Sequence, residues 1–433
     1  MIKAIKKIRL IYLFFLGAMI MAACTSTQQV MKASDKVAMA DPVPNIIPVE
    51  RPLLESGISK ERMSRLEEFL ISEAAAGKVP GAVCLVKKNG VVAYDKVIGM
   101  KEIGGTVPMT RDEVFYIQSM TKPIVSVAFM MLYEEGHFLL TDPIKKYLPQ
   151  FETMQVATSQ KKADMKMIPA ESDITIRQVL SHTAGMSHGL TGTDYDNQLA
   201  MSLYFSNLET IEDRVNAIAK YPLMGQPGEQ WHYSASPDVL ALLIEQFSGM
   251  TCADFLQQRI FDPLGMTATG YNMKAGSESK KATLYQVGKD GKLTTHQRQT
   301  PAQGHTVYGG THGLFSTASD YMKFAEMLLN DGESNGTRLL GRKTLELMTS
   351  DILGDMSRSP GQGFGLGFGV RTDVAKSAGL GSKGNFYWGG AFNTYFFVDP
   401  EEDMVAVLMM QFDPYTDFYA DKLRQFVYQA IVD

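Results

Sequence analysis

The hydrophobic pattern of the chain predicts strands near both ends and helices between them. Near the start, Ser59 can cap a helix, because apolar residues follow it at helical spacing. Two apolar runs come next, at residues 82–86 and 91–94, and the pair Asn89-Gly90 joins them. Such a pair between apolar runs is a strong signal for a β-hairpin, since both turn residues need a positive φ. The first hundred residues therefore predict a helix followed by a hairpin.

The C-terminal end of the chain also predicts two strands and a helix. Residues 391–398 and 404–410 are apolar runs that predict two strands, and the charged segment 399–403 predicts the turn between them. A final helix is expected over residues 415–431. Both ends of the chain therefore carry material for a sheet.

The middle of the chain predicts helices separated by loops, for example at residues 238–247 and 252–259. Segments rich in strands that flank a helical segment predict one α/β sheet closed by both ends of the chain, with a helical insertion. We therefore expect an α/β sheet lobe from residues 51–140 and 310–433, and a mostly helical lobe from residues 141–309.

The first 24 residues have the pattern of a secretory signal, with basic residues, an apolar run at residues 10–20 and small residues before Cys24. The run is shorter than the roughly 20 residues that a spanning helix needs. Cys24 is placed like the acceptor of a bacterial lipoprotein, which leaves lipidation of Cys24 and simple cleavage nearby as alternatives. Residues 25–50 are polar and contain proline, as expected of a tether. The prediction is an exported protein, periplasmic or lipid-anchored.

Composition and charge exclude several classes of function. Hydrophobic residues make up 45% of the chain and charged residues 21%, which excludes a disordered protein. The formal net charge is −5 and no basic patch stands out, so we expect no nucleic-acid partner. The seven histidines lack the spacing of zinc ligands, so neither a metal nor another cofactor is expected. The expected membrane contact is limited to the lipid anchor.

Ser119 and Lys122 form the first candidate for covalent chemistry, because a spacing of three residues places both on one face of a helix. The segment 124–132 is apolar on nearly all faces, which indicates a buried helix. Pro123 fits only in a first turn, so the helix must begin almost at Ser119. The backbone N–H of Ser119 would then be unpaired and could face an oxyanion. The alternative is that Ser119 only caps the helix.

A second candidate nucleophile is Ser187, within the sequence Gly-Met-Ser-His-Gly at residues 185–189. That pattern matches a nucleophile elbow, which needs a strand before it and a helix after it. Here a short helix is predicted before it, at residues 174–182, and a loop after it. The context therefore favours Ser119.

Five short segments together resemble the serine β-lactamase-related hydrolases of the class C β-lactamase-like type, in the order that this family shows. They are residues 115–124 (FYIQSMTKPI), 180–186 (LSHTAGM), 227–234 (PGEQWHYS), 309–317 (GGTHGLFST) and 387–391 (YWGGA). The resemblance extends over about residues 55–430. It implies an antiparallel sheet flanked by helices, with an all-helical second lobe and the active site between the lobes.

The resemblance also implies roles for individual residues. Ser119 would be the acylated nucleophile, and Lys122 and Tyr233 would share the work of the general base. The backbone N–H groups of Ser119 and Ala391 would form the oxyanion hole. We expect the Lys122 ammonium to lower the pKa of Tyr233, so that a phenolate could accept the Ser119 proton.

Two departures from the family pattern bear on the substrate. The third motif is Trp388-Gly389-Gly390, which lacks the cation and hydroxyl of the usual Lys-Thr-Gly, and Ala235 stands where the second motif often has Asn. Both features are similar to those of the family VIII carboxylesterases, and we expect these four residues to contact substrate. The leading prediction is a secreted esterase of small acyl esters. The alternatives are a β-lactamase or DD-peptidase, and a non-catalytic penicillin-binding-like module.

Overall fold

The computed structural model describes residues 56–190, 192–356 and 358–433. The predicted signal sequence, Cys24 and the predicted tether at residues 25–50 lie outside the described residues. Within the described part, no single helix is long and apolar enough to cross a bilayer. Ser236–Ser248 and Cys252–Leu264 pass that test of length and composition only when taken together, across a bend of 81°.

A seven-stranded antiparallel sheet organises the first lobe. Its strands are β1 (Gly81–Lys88), β2 (Val91–Gly99), β3 (Gln362–Phe364), β4 (Gly369–Arg371), β5 (Phe386–Gly390), β6 (Thr394–Asp399) and β7 (Met404–Met409). Their order is β3-β4-β5-β6-β7-β1-β2, so the N-terminal hairpin adds to strands from the end of the chain. Asn89 and Gly90 both have a positive φ (54° and 71°), which confirms the predicted hairpin turn.

Helices come from both ends and from the middle of the chain. They are α1 (Lys60–Ala75), α2 (Thr121–Glu134), α3 (Ile176–Leu180), α4 (Asp194–Tyr204), α5 (Ile211–Ala219), α6 (Ser236–Ser248), α7 (Cys252–Leu256), α8 (Asp262–Leu264), α9 (Ala318–Leu329), α10 (Arg342–Met348) and α11 (Asp417–Tyr428). Ser59 accepts a hydrogen bond from the backbone N–H of Arg62, so it caps α1 as predicted. The predicted fold class, an antiparallel sheet with helices and a helical second lobe, is confirmed.

Short strand pairs complete the described structure. They are Phe115–Tyr116 with Phe315–Ser316, Gln155–Ala157 with Met167–Pro169, Tyr285–Val287 with both Leu293–Thr295 and Phe412–Asp413, and Glu333–Ser334 with Thr337–Arg338. The first pair joins the segment before Ser119 to the segment where the chain re-enters the sheet lobe.

The two faces of the sheet pack against different helices. Alternate residues of β6 point to opposite faces, as strand geometry requires. The Phe396 ring contacts Tyr321 of α9 on one face, with ring centroids 4.9 Å apart. The Phe397 ring stacks on Tyr428 of α11 on the other face, at 5.5 Å. The sheet is therefore covered on both faces at β6.

Two predicted boundaries were wrong. Residues 391–393 form a turn between β5 and β6, whereas the sequence predicted a strand from Ala391. Asn393 adopts a positive φ of 65° there, and its side-chain amide donates to the Phe412 carbonyl, at 2.8 Å. The last helix spans Asp417–Tyr428 rather than residues 415–431, because the Thr416 side chain caps it by accepting from Phe418 N–H.

Candidate active site

Ser119 lies at the junction between the short strand Phe115–Tyr116 and the central helix α2. Gln118–Met120 form a single 3-10 turn, and α2 begins immediately after it at Thr121. Gln118, directly before Ser119, has a φ of 48°, a conformation that a non-glycine residue adopts only when its surroundings impose it. The Met120 carbonyl accepts from the Tyr321 hydroxyl, at 3.0 Å. The turn that presents Ser119 is therefore fixed from within the core.

Lys122 and Tyr233 meet at the Ser119 hydroxyl, although Tyr233 comes from the other lobe. Lys122 Nζ lies 3.1 Å from Ser119 Oγ, and the Tyr233 hydroxyl lies 2.7 Å from the same atom. Lys122 is 1% exposed, whereas Ser119 is half-buried and so remains open to a substrate. The structure thus brings together the three residues that the sequence predicted as a set.

The predicted protonation of this set was wrong in one respect. Burial lowers the pKa of Lys122 well below its ordinary value, with Asp238 only partly opposing that effect. Burial also raises the pKa of Tyr233, to about 12, although the sequence predicted a lowered value. Lys122 Nζ lies over the Tyr233 ring, 4.6 Å from its centroid, but a neutral amine supplies no charge that would favour the phenolate. Burial therefore favours a neutral Lys122 amine and a neutral Tyr233 phenol.

A buried ion pair is connected to Lys122 through one peptide group. Asp238, which is fully buried, accepts from Arg214 Nε at 2.6 Å through one carboxylate oxygen and from the Thr311 backbone N–H at 2.8 Å through the other. The Thr311 carbonyl in turn accepts from Lys122 Nζ, at 2.8 Å. One carboxylate therefore neutralises Arg214 and also fixes the peptide that holds the lysine. Sequence analysis assigned neither residue a role, because the local pattern does not indicate that they pair.

The third motif lies on β5 and at its end. Trp388 is 8% exposed, and its ring lies 5.5 Å from the Tyr233 ring, which places it at the site as predicted. A Cβ on Gly390 would stand 2.3 Å from the Ile117 carbonyl oxygen, so only glycine lets β5 approach the Ser119 turn this closely. This approach brings Ala391, the next residue, to the same end of the site. Its part in an oxyanion hole remains a prediction.

A cation that sequence analysis missed also approaches the site. Arg358, from the loop between α10 and β3, places its guanidinium carbon 5.3 Å from the Trp388 ring centroid. Its charge acts to lower the pKa of Tyr233, against the larger opposite effect of burial. The charge that acts to lower the pKa of Tyr233 is therefore that of Arg358, whereas the sequence analysis expected that of Lys122. No sequence signal marks Arg358, because it lies outside the family motifs and in a loop.

The second candidate nucleophile, a histidine that packs against Tyr233, and Ala235 are all buried. Ser187 is buried and its hydroxyl donates to Asp196, while the element before it is the helix α3, so the elbow context is absent as expected. His182 is buried, with Nδ1 2.8 Å from the Ser234 hydroxyl, which indicates a structural role. Ala235 is fully buried and therefore lacks the exposed surface that its predicted contact with substrate requires. In the described ranges, no cluster of histidine, cysteine or carboxylate side chains is arranged to hold a metal ion.

Comparison with known proteins identifies the class to which this fold and site belong. The chain matches the Beta-lactamase family over residues 66–429, and it belongs to that family. The fold, the Ser119 site and relatives that are esterases together define a serine hydrolase related to the β-lactamases.

The individual relatives described here share between 23% and 32% sequence identity with this chain. Protein Rv1367c of Mycobacterium tuberculosis is 32% identical over 362 residues, which cover 78% of this chain and 87% of the relative. The lovastatin esterase of Penicillium rubens is 27% identical over 373 residues, or 77% of this chain and 89% of the esterase. EstCE1, described as a hydrolase with promiscuous acyltransferase activity, has a solved structure with a TM-score of 0.72. It shares 23% identity and covers 86% of this chain and 99% of its own, which supports the fold.

Proposed function

We propose that the protein is an exported serine esterase that cleaves small acyl esters through an acyl-enzyme on Ser119. The observation that carries the proposal is the convergence of Lys122 Nζ and the Tyr233 hydroxyl on Ser119 Oγ, at 3.1 and 2.7 Å. A hydroxyl nucleophile needs an adjacent base, and these distances are within hydrogen-bond reach. The replacement of the third-motif cation by Trp388 favours esters over the amide substrates of the β-lactamases.

The first half of the reaction forms the acyl-enzyme. The neutral Lys122 amine accepts the Ser119 proton while Oγ attacks the ester carbonyl, and the N–H groups of Ser119 and Ala391 stabilise the oxyanion. The Tyr233 phenol donates its proton to the departing alkoxide and regains one from the Lys122 ammonium. The products of this half-reaction are an alcohol and an ester bond between the acyl group and Ser119.

The second half hydrolyses that bond. Water gives a proton to Lys122 as it attacks the acyl carbon, and Ser119 Oγ leaves with a proton delivered through Tyr233. The overall balance is ester plus water giving acid plus alcohol. Because Lys122 must start neutral, activity should rise with pH through its lowered pKa. Activity should hold at higher pH, since the pKa of Tyr233 is about 12.

The direct experiment compares hydrolysis of 4-nitrophenyl butyrate with that of a chromogenic cephalosporin, using the wild type and Ser119→Ala. We expect ester turnover that falls by at least about 10⁴-fold in Ser119→Ala. Ser187→Ala is the matched control, and it should keep most of the activity. Turnover of the cephalosporin without the ester would overturn the proposed substrate class. Unchanged ester turnover in Ser119→Ala would overturn the mechanism.

Export is a separate part of the proposal, and it rests on the sequence of residues 1–24. Metabolic labelling with a radioactive fatty acid in a bacterial host should mark the wild type and leave Cys24→Ser unmarked. An unlabelled protein recovered from the periplasm would support cleavage near Cys24 without lipidation. Retention in the cytoplasm would contradict export.

A further inference from the structure

The Arg358 guanidinium is held in one orientation by neutral groups. Its carbon lies 5.3 Å from the ring centroid of Trp388, 5.5 Å from that of Tyr387 and 5.7 Å from that of Trp231. Its Nη2 donates to the Tyr387 hydroxyl at 2.9 Å and to the Gln362 side-chain carbonyl at 2.6 Å. A guanidinium that is already fixed by stacking and hydrogen bonds loses little freedom when it binds a ligand.

No charge in the described ranges neutralises Arg358. No carboxylate oxygen there lies within 4.0 Å of its nitrogens, whereas some of the other arginines have a carboxylate partner. Buried Arg214 pairs with Asp238, and exposed Arg338 pairs with Glu333. Arg358 is half-buried between aromatic rings, where less water competes for its N–H donors. It therefore presents an unpaired positive charge to an incoming molecule.

Arg358 is also close to the reacting groups. Two of the rings around it contact Tyr233, with ring centroids 5.5 Å away for Trp388 and 6.1 Å away for Trp231. The Tyr233 hydroxyl lies 2.7 Å from Ser119 Oγ. One layer of aromatic rings thus separates the guanidinium from the phenol at the nucleophile. A carboxylate on a chain that extends from Ser119 past these rings would meet Arg358.

We infer that Arg358 forms an anion-binding subsite, and that the enzyme prefers esters that also carry a carboxylate. A guanidinium offers parallel N–H donors that match the two oxygens of a carboxylate. The aromatic rings would contact the carbon chain between the ester and the carboxylate. This inference rests on the proposed esterase function and specifies its class of substrate.

The test uses matched pairs of esters that differ in one charge. On the acyl side the pair is 4-nitrophenyl hydrogen adipate and 4-nitrophenyl methyl adipate. On the alcohol side it is 3-carboxyphenyl butyrate and phenyl butyrate. Both pairs are assayed with the wild type, Arg358→Gln and Arg358→Lys. Arg338→Gln serves as the control, since it removes an exposed and paired arginine.

In the wild type, kcat/KM should be higher for the anionic member of at least one pair. In Arg358→Gln, the ratio of anionic to neutral kcat/KM should fall by about 10- to 100-fold, mainly through KM, the amount expected for one hydrogen-bonded charge contact. Arg358→Lys should restore part of the ratio, and Arg338→Gln should leave it unchanged. Added salt should reduce the ratio in the wild type and in Arg338→Gln, and leave it unchanged in Arg358→Gln. Ratios that are equal in the wild type and Arg358→Gln for both pairs would overturn the inference.

Binding distinguishes failure of the inference from failure of the esterase proposal. Calorimetric titration of Ser119→Ala with monomethyl adipate and dimethyl adipate requires no turnover. We expect tighter binding of the monoester, and loss of that preference in Ser119→Ala/Arg358→Gln. If no ester is hydrolysed but this preference is present, the esterase proposal fails and the anion subsite stands. If neutral esters are hydrolysed and the preference is absent, the subsite is contradicted and the esterase proposal stands.

Discussion

The charged residues on the two sides of Ser119 differ in their burial and in their pairing. On the Lys122 side, Arg214 and Asp238 are buried and paired, and they connect to the lysine through the Thr311 peptide. On the Tyr233 side, aromatic rings surround a half-exposed Arg358 that has no carboxylate partner among the described residues. The first side is a closed polar network, and the second is an open aromatic wall with one cation.

This contrast predicts that substitutions on the two sides affect different properties of the protein. A buried ion pair contributes to stability only while both partners remain, so changes on the Lys122 side should affect folding and the pH dependence together. A half-open aromatic wall contributes contact area and orientation to a ligand, so changes there should affect catalysis or substrate preference more than stability. Two substitutions test this prediction, and a third tests the close approach of β5 to the Ser119 turn.

The largest effect is expected on the aromatic side, from Tyr233→Phe. Loss of the hydroxyl removes the donor to the leaving group, which should lower kcat/KM by about 10² to 10⁴-fold. Stability should change little, because the ring and its packing remain. Tyr204→Phe is the matched control, since the Tyr204 hydroxyl binds His188 Nδ1, at 2.9 Å, and not Ser119. Comparable losses of activity in both variants would contradict a specific role for Tyr233.

The next effect is expected on the Lys122 side, from Asp238→Asn. The amide leaves Arg214 buried without a countercharge, so the free energy of unfolding should fall by about 3–5 kcal/mol. The Asp238 charge raises the pKa of Lys122, so its removal should lower that pKa further. The acidic limb of the pH–rate profile should then move to lower pH.

Asp320→Asn is the control for Asp238→Asn, because Asp320 is also buried and paired, with Lys323. It should lower stability in urea denaturation without moving the acidic limb. An acidic limb that stays in place in Asp238→Asn would show that the ion pair does not act on Lys122.

The smallest effect is expected from Gly390→Ala, which is compared with Gly389→Ala at the adjacent glycine of the third motif. A methyl on Gly390 would lie 2.3 Å from both the Ile117 carbonyl oxygen and Thr394 Oγ1, whereas on Gly389 the nearest atom would be 3.3 Å away. Gly390→Ala should therefore cost about 1–3 kcal/mol of stability and displace the Ser119 turn, with a loss of activity. Gly389→Ala should cost less than about 1 kcal/mol. Equal behaviour of the two variants in thermal unfolding would contradict the close approach of β5 to that turn.

The sequence was sufficient to predict the residues that carry motifs. The spacing of Ser119 and Lys122, with Pro123 behind them, placed both at the start of a buried helix, and the structure has them there. The hairpin at Asn89 was equally predictable, because its turn chemistry is local. The strand expected from Ala391 failed, since the apolar pattern continues through a turn that long-range contacts of Asn393 define.

Features that depend on burial could not be predicted in the same way. The pKa of Tyr233 moves opposite to the prediction because the phenol is partly buried among aromatic rings, and residue spacing does not reveal burial. Asp238 and Arg214 are 24 residues apart and pair only when α5 and α6 pack together. Arg358 comes from a loop, and its position over Trp388 is a consequence of the sheet topology.

The central claim is that Ser119 carries the acyl group during turnover. Rapid quenching of the reaction with 4-nitrophenyl butyrate, followed by proteolysis and mass spectrometry, tests it directly. The account predicts a butyryl group on the peptide that contains Ser119 and none in Ser119→Ala. A butyryl group on the peptide that contains Ser187, or one that persists in Ser119→Ala, would contradict it.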